Sequence, residues 1–322
     1  MNELDMLKII NNKLSRTEFL GNDCAKIYDY VANLPLIVTH DTLVEDVHFS
    51  LNTTNPFELA VKAVSVNISD LRASLALPKY LSISLSMPEN ISSDFVEQFY
   101  EGLDFACKKY QCCICGGDLT KSEKIVISIC AIGQQIRRLE VGRQYAQDGD
   151  LVLLFGNVGY SDLGLKELGN NPRTDSLFTK AHLSPEIDLD LIYKFSELPL
   201  TSLCAMDTSD GLADVVYKIS KASNCSIEIN GDNLPASDNF IERCSELNLD
   251  YKKVLAYGAE DFSLVATLNP EYARILNVDD FSIIGKVCKN STCSVSKIKF
   301  KDEIFEINED TIKLNTYNHF ID

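Results

Sequence analysis

Apolar, strand-like runs that end in an aspartate recur along this chain and constrain its fold more than any other feature. Asp41 closes LIVTHD, Asp70 closes VKAVSVNISD and Asp118 follows CCICGGD, while Asp207 and Asp210 close LCAMDTSD. A fold that brings these ends together gathers carboxylates that repel one another, so the cluster requires cations. Mg2+ takes oxygen ligands and commonly bridges carboxylates to substrate phosphates. The pattern therefore predicts metal-assisted phosphate chemistry.

The length and the alternation of elements predict the domain organisation. With 322 residues, the chain is long enough for two domains of roughly 100–200 residues each. Strands alternate with helices in each half, which predicts an α/β (α+β) fold. The polar, turn-rich segment at 142–150 predicts the boundary between an N-terminal domain, 1–145, and a C-terminal domain, 146–322.

Charge and hydropathy restrict the partners and the compartment. A net charge of -17 argues against nucleic acid, because phosphate backbones are bound through lysine and arginine. No apolar run approaches the roughly 20 residues of a membrane helix, and the acidic start MNELDMLKII does not resemble a signal peptide. Eleven cysteines, an odd number scattered over a long chain, favour a reducing compartment. We expect a cytoplasmic protein without a membrane or nucleic-acid partner.

Periodicity indicates the main elements. The clearest helix is 93–109, where Phe95, Phe99, Leu103 and Ala106 form one apolar stripe. Helices are also predicted at 57–68, running into a turn at Ser69-Asp70, and at 213–223. Strands are predicted at 36–40, 79–87, 125–133 and 151–156, and a turn into a strand at 257–268.

Cys112, Cys113 and Cys115 form the one tight cysteine cluster of the sequence. A zinc or redox site is an alternative interpretation, but no CxxC or paired histidine spacing accompanies the cluster. Free cysteine packs as a small hydrophobic residue, so we predict buried thiols in a strand.

Two segments are candidates for holding phosphates, since the P-loop, GxGxxG and kinase catalytic-loop patterns do not occur. Gly116-Gly117-Asp118 combines glycines that allow close backbone approach with a metal-binding acid, although a common Gly-Gly turn has the same composition. The segment 207–211, Asp-Thr-Ser-Asp-Gly, offers carboxylates and hydroxyls before a helix. Its structural alternative is an N-cap, with Ser209 or Asp210 binding free amides of the helix. His48, in the segment 40–49, is either a packed histidine or a phosphate contact.

Eight ordered segments together resemble the thiamine-monophosphate kinase family, which is related to aminoimidazole ribonucleotide synthetase and selenophosphate synthetase. The resemblance spans nearly the whole chain, and HDTLVEDVHF and DTSDGL are its most specific parts. The segments are GNDCA (21–25), HDTLVEDVHF (40–49), NISDLRASLALP (67–78), GGDLTKS (116–122), GRQYAQDGD (142–150), GNVGYSDLGL (156–165), AMDTSDGL (205–212) and YGAEDFSL (257–264).

The resemblance implies a two-domain fold like that of aminoimidazole ribonucleotide synthetase. The N-terminal domain is expected to bind ATP and Mg2+ and to form a homodimer, and the C-terminal α/β domain is expected to complete the active-site cleft. The implied activity is ATP-dependent phosphorylation of thiamine monophosphate to thiamine diphosphate by direct in-line transfer, without a phospho-enzyme. Two alternatives stay open: a related enzyme with another acceptor, and a non-catalytic ATP-binding descendant.

The resemblance also implies the site residues. Asp118 and Asp210 are expected to be essential for catalysis. The ATP contacts are expected to be Gly117, Asp118, Arg143 and Ser209. The substrate contacts are expected to be His48, Glu260 and Tyr317. The ligands of several Mg2+ ions are expected to be Asp23, Thr39, His40, Asp41, Asp70, Asp118, Asp207 and Asp210.

The sequence departs from the family pattern at five places, which include LRASLALP after Asp70 and AHLSPEID without the usual arginine. Three further departures are single substitutions. Asn22 replaces the first acid of a Gly-Asp-Asp turn, and His40 replaces a serine or threonine beside Asp41. Ala259 replaces a glycine next to Glu260. These substitutions are the features that support the non-catalytic alternative.

Overall fold

A computed structural model of the chain describes residues 9, 12–15, 34–289 and 295–316. Contacts divide the chain into two units, Met1–Arg138 with Leu183–Ile192 and Leu139–His182 with Tyr193–Asp322. Each unit combines helices with a sheet, and the predicted α/β (α+β) class is confirmed. The roles expected for the two domains stay predictions. None of the helices in the described ranges is long and apolar enough to cross a membrane.

The first unit is built on a four-stranded sheet. Its strands are β1 Leu36–Val44, β2 Ala76–Met87, β3 Cys113–Lys121 and β4 Val126–Gln135. They are arranged in the order β1-β4-β2-β3, in which β4 is antiparallel to β1 and β2. β2 and β3 are parallel, and a parallel pair requires a crossover connection, which contains a helix here. The predicted strands at 36–40, 79–87 and 125–133 are confirmed. The prediction that Asp41 and Asp118 stand at strand ends was wrong, because β1 and β3 continue beyond them and both residues lie within a strand.

Two helices, α1 (Pro56–Ala73) and α2 (Ser93–Lys109), belong to this unit. α1 contacts β1, β2 and β4, and α2 packs against α1. We call the face of the sheet against α1 the covered face and the other the open face. The predicted helix at 93–109 and its apolar stripe are confirmed, because the four stripe residues are buried.

The sequence prediction for α1 was wrong at its C-terminal end. The helix does not stop before Ser69 but continues to Ala73, so Asp70 lies within the helix and not at the end of a strand. Ser69 and Asp70 are weak helix formers, but neither breaks a helix as glycine or proline does. Buried Leu71 continues the apolar face of Ile68, and Leu75, with φ +53°, ends the turn that follows.

The predicted buried thiols are confirmed. Cys112, Cys113 and Cys115 are buried and not in a disulfide. Cys113 and Cys115 lie in β3, where their side chains fill space in the apolar interior of the first unit.

The second unit is built on an eight-stranded mixed sheet. Its strands are β5 Glu140–Val141, β6 Leu151–Phe155, β7 Ser202–Asp207, β8 Ser226–Asn230, β9 Leu264–Leu268, β10 Ser282–Cys288, β11 Ser296–Lys299 and β12 Ile304–Ile307. Their order is β12-β11-β8-β10-β6-β9-β7-β5. The two longest helices of this unit are α3, Tyr160–Asn170, and a later helix, Leu212–Ser223, which is labelled α6 below.

The other helices of the described residues connect these strands or follow the last of them, in places two or three in succession. They are α4 Leu177–Leu183, α5 Asp190–Glu197, α6 Leu212–Ser223, α7 Asp238–Glu246, α8 Tyr251–Tyr257, α9 Pro270–Ala273 and α10 Glu309–Asn315. The predicted strand at 151–156, the helix at 213–223 and the turn into a strand at 257–268 are confirmed as β6, α6 and β9 with its preceding loop.

One end of this sheet collects three loops. β9 is antiparallel to both β6 and β7, and Leu264 at its start pairs with Phe155 at the end of β6 and Asp207 at the end of β7. The loops 156–159 and 208–211 therefore leave the sheet where the loop 258–263 enters it. Two of the predicted site segments, 207–211 and 257–264, meet at this end.

Candidate active site

In the first unit, the covered face brings together three predicted metal ligands. Thr39 Oγ1 donates a hydrogen bond to Asp70 Oδ2 at 2.5 Å. The amide of Asp41 donates to Asn67 Oδ1 at 3.3 Å, and Asn67 precedes Asp70 by about one turn of α1. Thr39 and Asp41 share this face because alternate residues of a strand point the same way. Sequence reasoning missed Asn67, although its i, i+3 spacing from Asp70 in NISD was a usable signal.

His40 lies on the opposite side of the same strand. Its Nε2 is 2.7 Å from Ser128 Oγ on β4, and Thr42 Oγ1 is 2.8 Å from the same oxygen. The imidazole is therefore on the open face, and the structure does not bring it together with Thr39 and Asp41. Its role as a metal ligand stays a prediction.

Gly117 and Asp118 stand at the far edge of the sheet from β1. Pairing follows one row from Asp41 through Ile129 and Ile83 to Gly117. This row spans three strand spacings, about 14 Å. Asp118 pairs with Ser84 and is exposed, so the first unit by itself does not place its carboxylate beside Asp41.

Gly117 is confined by its neighbour strand. It has a φ of +156°, and a Cβ at this position would stand 1.8 Å from the carbonyl oxygen of Ile83. The backbone of β3 therefore approaches β2 as closely as only glycine permits. The close approach seen here is between two strands, and the predicted approach of a phosphate to Gly117 stays a prediction.

The donors of the first unit suit a hard cation. Thr39, Asp41 and Asp70 offer oxygen only, which is the ligand type that Mg2+ prefers. Within the described ranges, no group of three or more His, Cys, Asp or Glu side chains is close enough to hold a metal ion. Mg2+ usually binds through one or two carboxylates, waters and substrate phosphates, so a pair such as Asp41 and Asp70 fits its chemistry.

His48 is held by the turn that follows β1. Its Nδ1 accepts a hydrogen bond from the amide of Val44 at 3.1 Å, and its own amide donates to the carbonyl of Val44 at 2.9 Å. Because Nδ1 accepts, the proton of the neutral imidazole is on Nε2. A neutral His48 is thus set up as a hydrogen-bond donor through Nε2.

In the second unit, the segment 207–211 is fastened to the loop before β9. Thr208 and Ser263 exchange two hydrogen bonds of 3.0 Å, from amide to carbonyl and from amide to hydroxyl. The amide of Glu260 donates to the carbonyl of Ser209 at 2.7 Å. Gly211 has a φ of +94°, and a Cβ there would lie 2.8 Å from the carbonyl oxygen of Gly258.

The helix after this segment begins without a side-chain cap. The cap position of α6 is Gly211, so the alternative in which Ser209 or Asp210 caps the helix was wrong. The reason is geometric, because Gly211 inserts one residue of left-handed backbone between those side chains and the first turn. An uncapped helix N-terminus presents amides and a positive dipole that favour anions.

Asp210 takes part in a charge cluster that sequence reasoning missed. Lys218 Nζ is 2.9 Å from Asp210 Oδ2 and 2.7 Å from Asp214 Oδ2. Burial raises the pKa of Asp214, and Lys218 opposes this shift. Burial acts to lower the pKa of Lys218, but its hydrogen bonds to Asp214 and Asp210 raise the pKa overall. The i, i+4 spacing of Asp214 and Lys218 was the available signal.

Arg143 lies in a 3-10 turn, Arg143–Tyr145, close to this cluster. Its carbonyl accepts a hydrogen bond from Ser223 Oγ at 2.7 Å, which fastens the turn to the end of α6. Its guanidinium is exposed and acts on the Asp214 charge. The second unit thus brings Arg143, Asp210 and Ser209 to the surroundings of α6.

The loop 258–263 has an unusual backbone. Glu260 and Phe262 have φ values of +62° and +50°, which cost energy for residues other than glycine. Asp261 between them accepts hydrogen bonds from the amides of Gly159, at 2.6 Å, and Ser161, at 2.8 Å. Such strain persists only where surrounding contacts hold it, and it is typical of ligand-binding loops.

Asp261 should make stability depend on pH. Burial raises its pKa to about 8, against the opposing effect of the Ser161 and Gly159 amides. An unfolded aspartate titrates near 4, so from about pH 4 to about pH 8 the folded state binds more protons and stability falls as pH rises. We expect Asp261→Asn to gain stability relative to the wild type between about pH 5 and about pH 8. Urea unfolding of both proteins at these two values tests this, and a difference independent of pH would contradict it.

Two predicted site residues, Asp23 and Tyr317, lie outside the described residues. Glu260 and Asp207 are in the second unit, where Asp207 is buried at the last position of β7. The predicted residues thus divide between the two units, and their assembly into one site stays a prediction.

Comparisons with known proteins identify the family. The family described as "AIR synthase related protein, N-terminal domain" matches residues 21–135. The thiamine-monophosphate kinase of Synechococcus elongatus is 34% identical over 80% of this chain and 79% of its own length. This chain belongs to the thiamine-monophosphate kinase family. The predicted family is confirmed, and so is the prediction of a kinase.

Solved structures agree with this family assignment. AaThiL, from Aquifex aeolicus, in a complex with AMPPCP and TMP, is 30% identical, with a TM-score of 0.75 over 94% of this chain and 96% of that chain. E. coli HypE has the same TM-score of 0.75 at 19% identity, over 95% of this chain and 97% of that chain, and shows the fold alone. The predicted fold of the aminoimidazole ribonucleotide synthetase type is confirmed.

Proposed function

We propose that this chain transfers the γ-phosphoryl group of ATP to thiamine monophosphate, giving thiamine diphosphate and ADP in thiamine diphosphate biosynthesis. The observation that carries the proposal is the 34% sequence identity between this chain and a thiamine-monophosphate kinase. A related structure, AaThiL, was solved with TMP and with AMPPCP, an analogue of ATP. The structured loops at the end of the second sheet, which hold Ser209 and Glu260 together, support it.

The reaction is a direct in-line displacement. A phosphate oxygen of thiamine monophosphate attacks the γ-phosphorus, the bond to the β,γ-bridging oxygen breaks, and ADP leaves. The acceptor phosphate has a second pKa of roughly 6, so it is anionic near neutral pH and needs little help from a base. The main barrier is the approach of two anions. Charge neutralisation and positioning must therefore supply most of the catalysis.

Mg2+ is the proposed cofactor, and when bound it would neutralise phosphate charge. Thr39 and Asp70 already share a hydrogen bond, which orients both oxygens on the covered face. Lys218 orients the Asp210 carboxylate in the same way in the second unit. The residues proposed to hold the ions are Asp23, Thr39, His40, Asp41, Asp70, Asp118, Asp207 and Asp210.

The chain's own cations and amides are proposed to bind the phosphates and the substrate. Arg143 would neutralise phosphate charge of ATP, with Ser209 beside the uncapped N-terminus of α6 and Gly117 where β3 approaches β2. His48, as a donor through Nε2, would contact thiamine monophosphate. Glu260 and Tyr317 complete the proposed substrate contacts.

We also propose a homodimer that acts in the cytoplasm. Leu36 and Val38 of β1 are 50% and 62% exposed on the open face of the first unit, which supports a partner on that face. The free thiols of the described residues are compatible with a reducing compartment. Light scattering of the purified protein distinguishes a mass of one chain from that of two.

The first experiment is a product assay with purified protein, ATP and Mg2+, with and without thiamine monophosphate. We expect ADP and thiamine diphosphate in equal amounts, formed only when the monophosphate is present. ADP release with another phosphate acceptor but not with thiamine monophosphate would favour a different enzyme of this fold. ATP binding without any ADP formation would favour the non-catalytic alternative.

A further inference from the structure

A buried histidine contacts Glu260 in the second unit. His182, on α4, is only 5% exposed, and its Nδ1 lies 3.4 Å from Glu260 Oε2. The same Nδ1 lies 3.0 Å from the hydroxyl of Ser161, which is fully buried in the first turn of α3. The ring nitrogen thus stands between a hydroxyl and a carboxylate.

The identity of the partners decides where the proton is. An ionised carboxylate can only accept hydrogen bonds, whereas the serine hydroxyl can accept or donate. A hydrogen bond from Nδ1 to the ionised Glu260 carboxylate, 3.4 Å away, therefore requires the tautomer that carries its proton on Nδ1. In that tautomer the Ser161 hydroxyl, 3.0 Å from Nδ1, is a second acceptor of the same N–H.

Hydrogen bonds fix the backbone on both sides of Glu260. Asp261 accepts hydrogen bonds from the amides of Gly159 and Ser161, so the residue after Glu260 is fastened to the same turn of α3 that holds His182. The amide of Glu260 is bonded to the carbonyl of Ser209 at 2.7 Å. The backbone of Glu260 is thus fixed independently of its side chain, and His182 acts on the carboxylate alone.

We propose that His182 is a positioning residue for thiamine monophosphate, which through Nδ1 holds the Glu260 carboxylate in the orientation that binds this substrate. The inference rests on the proposed function, because it takes Glu260 as a substrate contact. Thiamine carries a cationic thiazolium ring and an aminopyrimidine with N–H donors, and a fixed carboxylate is suited to either group. Glu260 is not among the proposed ATP contacts, so the KM for ATP serves as an internal control.

Two substitutions of His182 test the contact. His182→Leu keeps an apolar side chain of similar bulk but has no donor, and we expect the KM for thiamine monophosphate to rise about tenfold, with kcat within about threefold. The KM for ATP should stay within about twofold. His182→Asn places an amide nitrogen near the Nδ1 position, and we expect it to recover most of the lost affinity.

A double-mutant cycle separates action through Glu260 from a general effect. Glu260→Gln alone should raise the KM for thiamine monophosphate, and adding His182→Leu to it should change that KM by less than about twofold. An equal tenfold effect of His182→Leu in both backgrounds overturns the proposal. An unchanged KM in folded His182→Leu also overturns it.

Thr267→Val is the matched control for loss of a buried hydrogen bond. Thr267 is buried in the same unit, lies in β9 outside the loop 258–263, and donates to Asp150 Oδ2 at 3.1 Å. We expect this variant to lose stability without a change in the KM for thiamine monophosphate. If the KM for thiamine monophosphate rose as much in Thr267→Val as in His182→Leu, both increases would be due to loss of stability, and the proposal would be overturned.

Calorimetric binding of thiamine monophosphate distinguishes failure of this inference from failure of the proposed function. If the wild type binds the substrate but forms no product, the proposed activity fails, and the weaker binding expected for His182→Leu still tests the contact. If the wild type does not bind thiamine monophosphate at all, both are overturned.

Discussion

Asp118→Asn and Asp210→Asn should each lower kcat by about 100- to 1,000-fold, while the protein stays folded. Each carboxylate is a proposed ligand at the phosphates, and loss of one group aimed at transition-state charge typically costs two to three orders of magnitude, about 100- to 1,000-fold. Both side chains are exposed. Their replacement by the isosteric amide should therefore change the free energy of unfolding by no more than about 1 kcal/mol, which includes loss of the Asp210–Lys218 ion pair.

The measurement is a steady-state assay of thiamine diphosphate formation together with thermal unfolding. Asp175→Asn is the matched control, because Asp175 is an exposed acid of the second unit that is paired with Lys180 at 3.1 Å. This control should keep wild-type kcat. Full activity in Asp118→Asn or Asp210→Asn would rule out the metal assignment of that residue, and equal losses in Asp175→Asn would point to overall charge as the cause.

Gly117→Ala should destabilise the first unit by more than about 3 kcal/mol, because the new methyl group collides with backbone and not with a flexible side chain. The Cβ would stand 1.8 Å from the carbonyl oxygen and 2.7 Å from the carbonyl carbon of Ile83, and the φ of +156° disfavours any L side chain. β3 must move away from β2 to admit it. Nucleotide affinity should fall with the same change, because Asp118 moves with Gly117.

Gly116→Ala is the control that the chain itself offers. A Cβ on Gly116 meets no atom within 4 Å, so this neighbouring substitution should change stability by less than about 1 kcal/mol. Urea unfolding and ATP titration of the two variants compare them directly. Similar stability of the two would show that β3 relaxes freely and would remove the structural reason for Gly117.

Local patterns account for the elements that could be predicted. The helix at 93–109 was predictable because its apolar stripe, its Ser92 cap and its basic last turn all agree with one another. The position of Asp70 was predicted less well. The Ser69-Asp70 pair suggested a turn, but burial of Ile68 and Leu71 in the interior of the first unit outweighs this preference and keeps the segment helical.

The same distinction holds for the site. The segments around Asp41, Asp118 and Asp207 were recognisable because their residue types and spacing reflect phosphate and metal chemistry. Which face of a strand each side chain occupies could not be predicted in the same way. His40 and Thr39 are adjacent in sequence, but their side chains lie on opposite sides of β1.

The sequence by itself determined the family, the α/β (α+β) class and several of the longer helices and strands, because these depend on periodicity, caps and ordered motifs that are local in the chain. Only the tertiary structure decided which side chains meet. The contact of His182 with Glu260 joins residues far apart in sequence, and so do the hydrogen bonds from Gly159 and Ser161 to Asp261 that hold the strained loop 258–263. Such contacts depend on how strands and helices pack, and no local pattern encodes them.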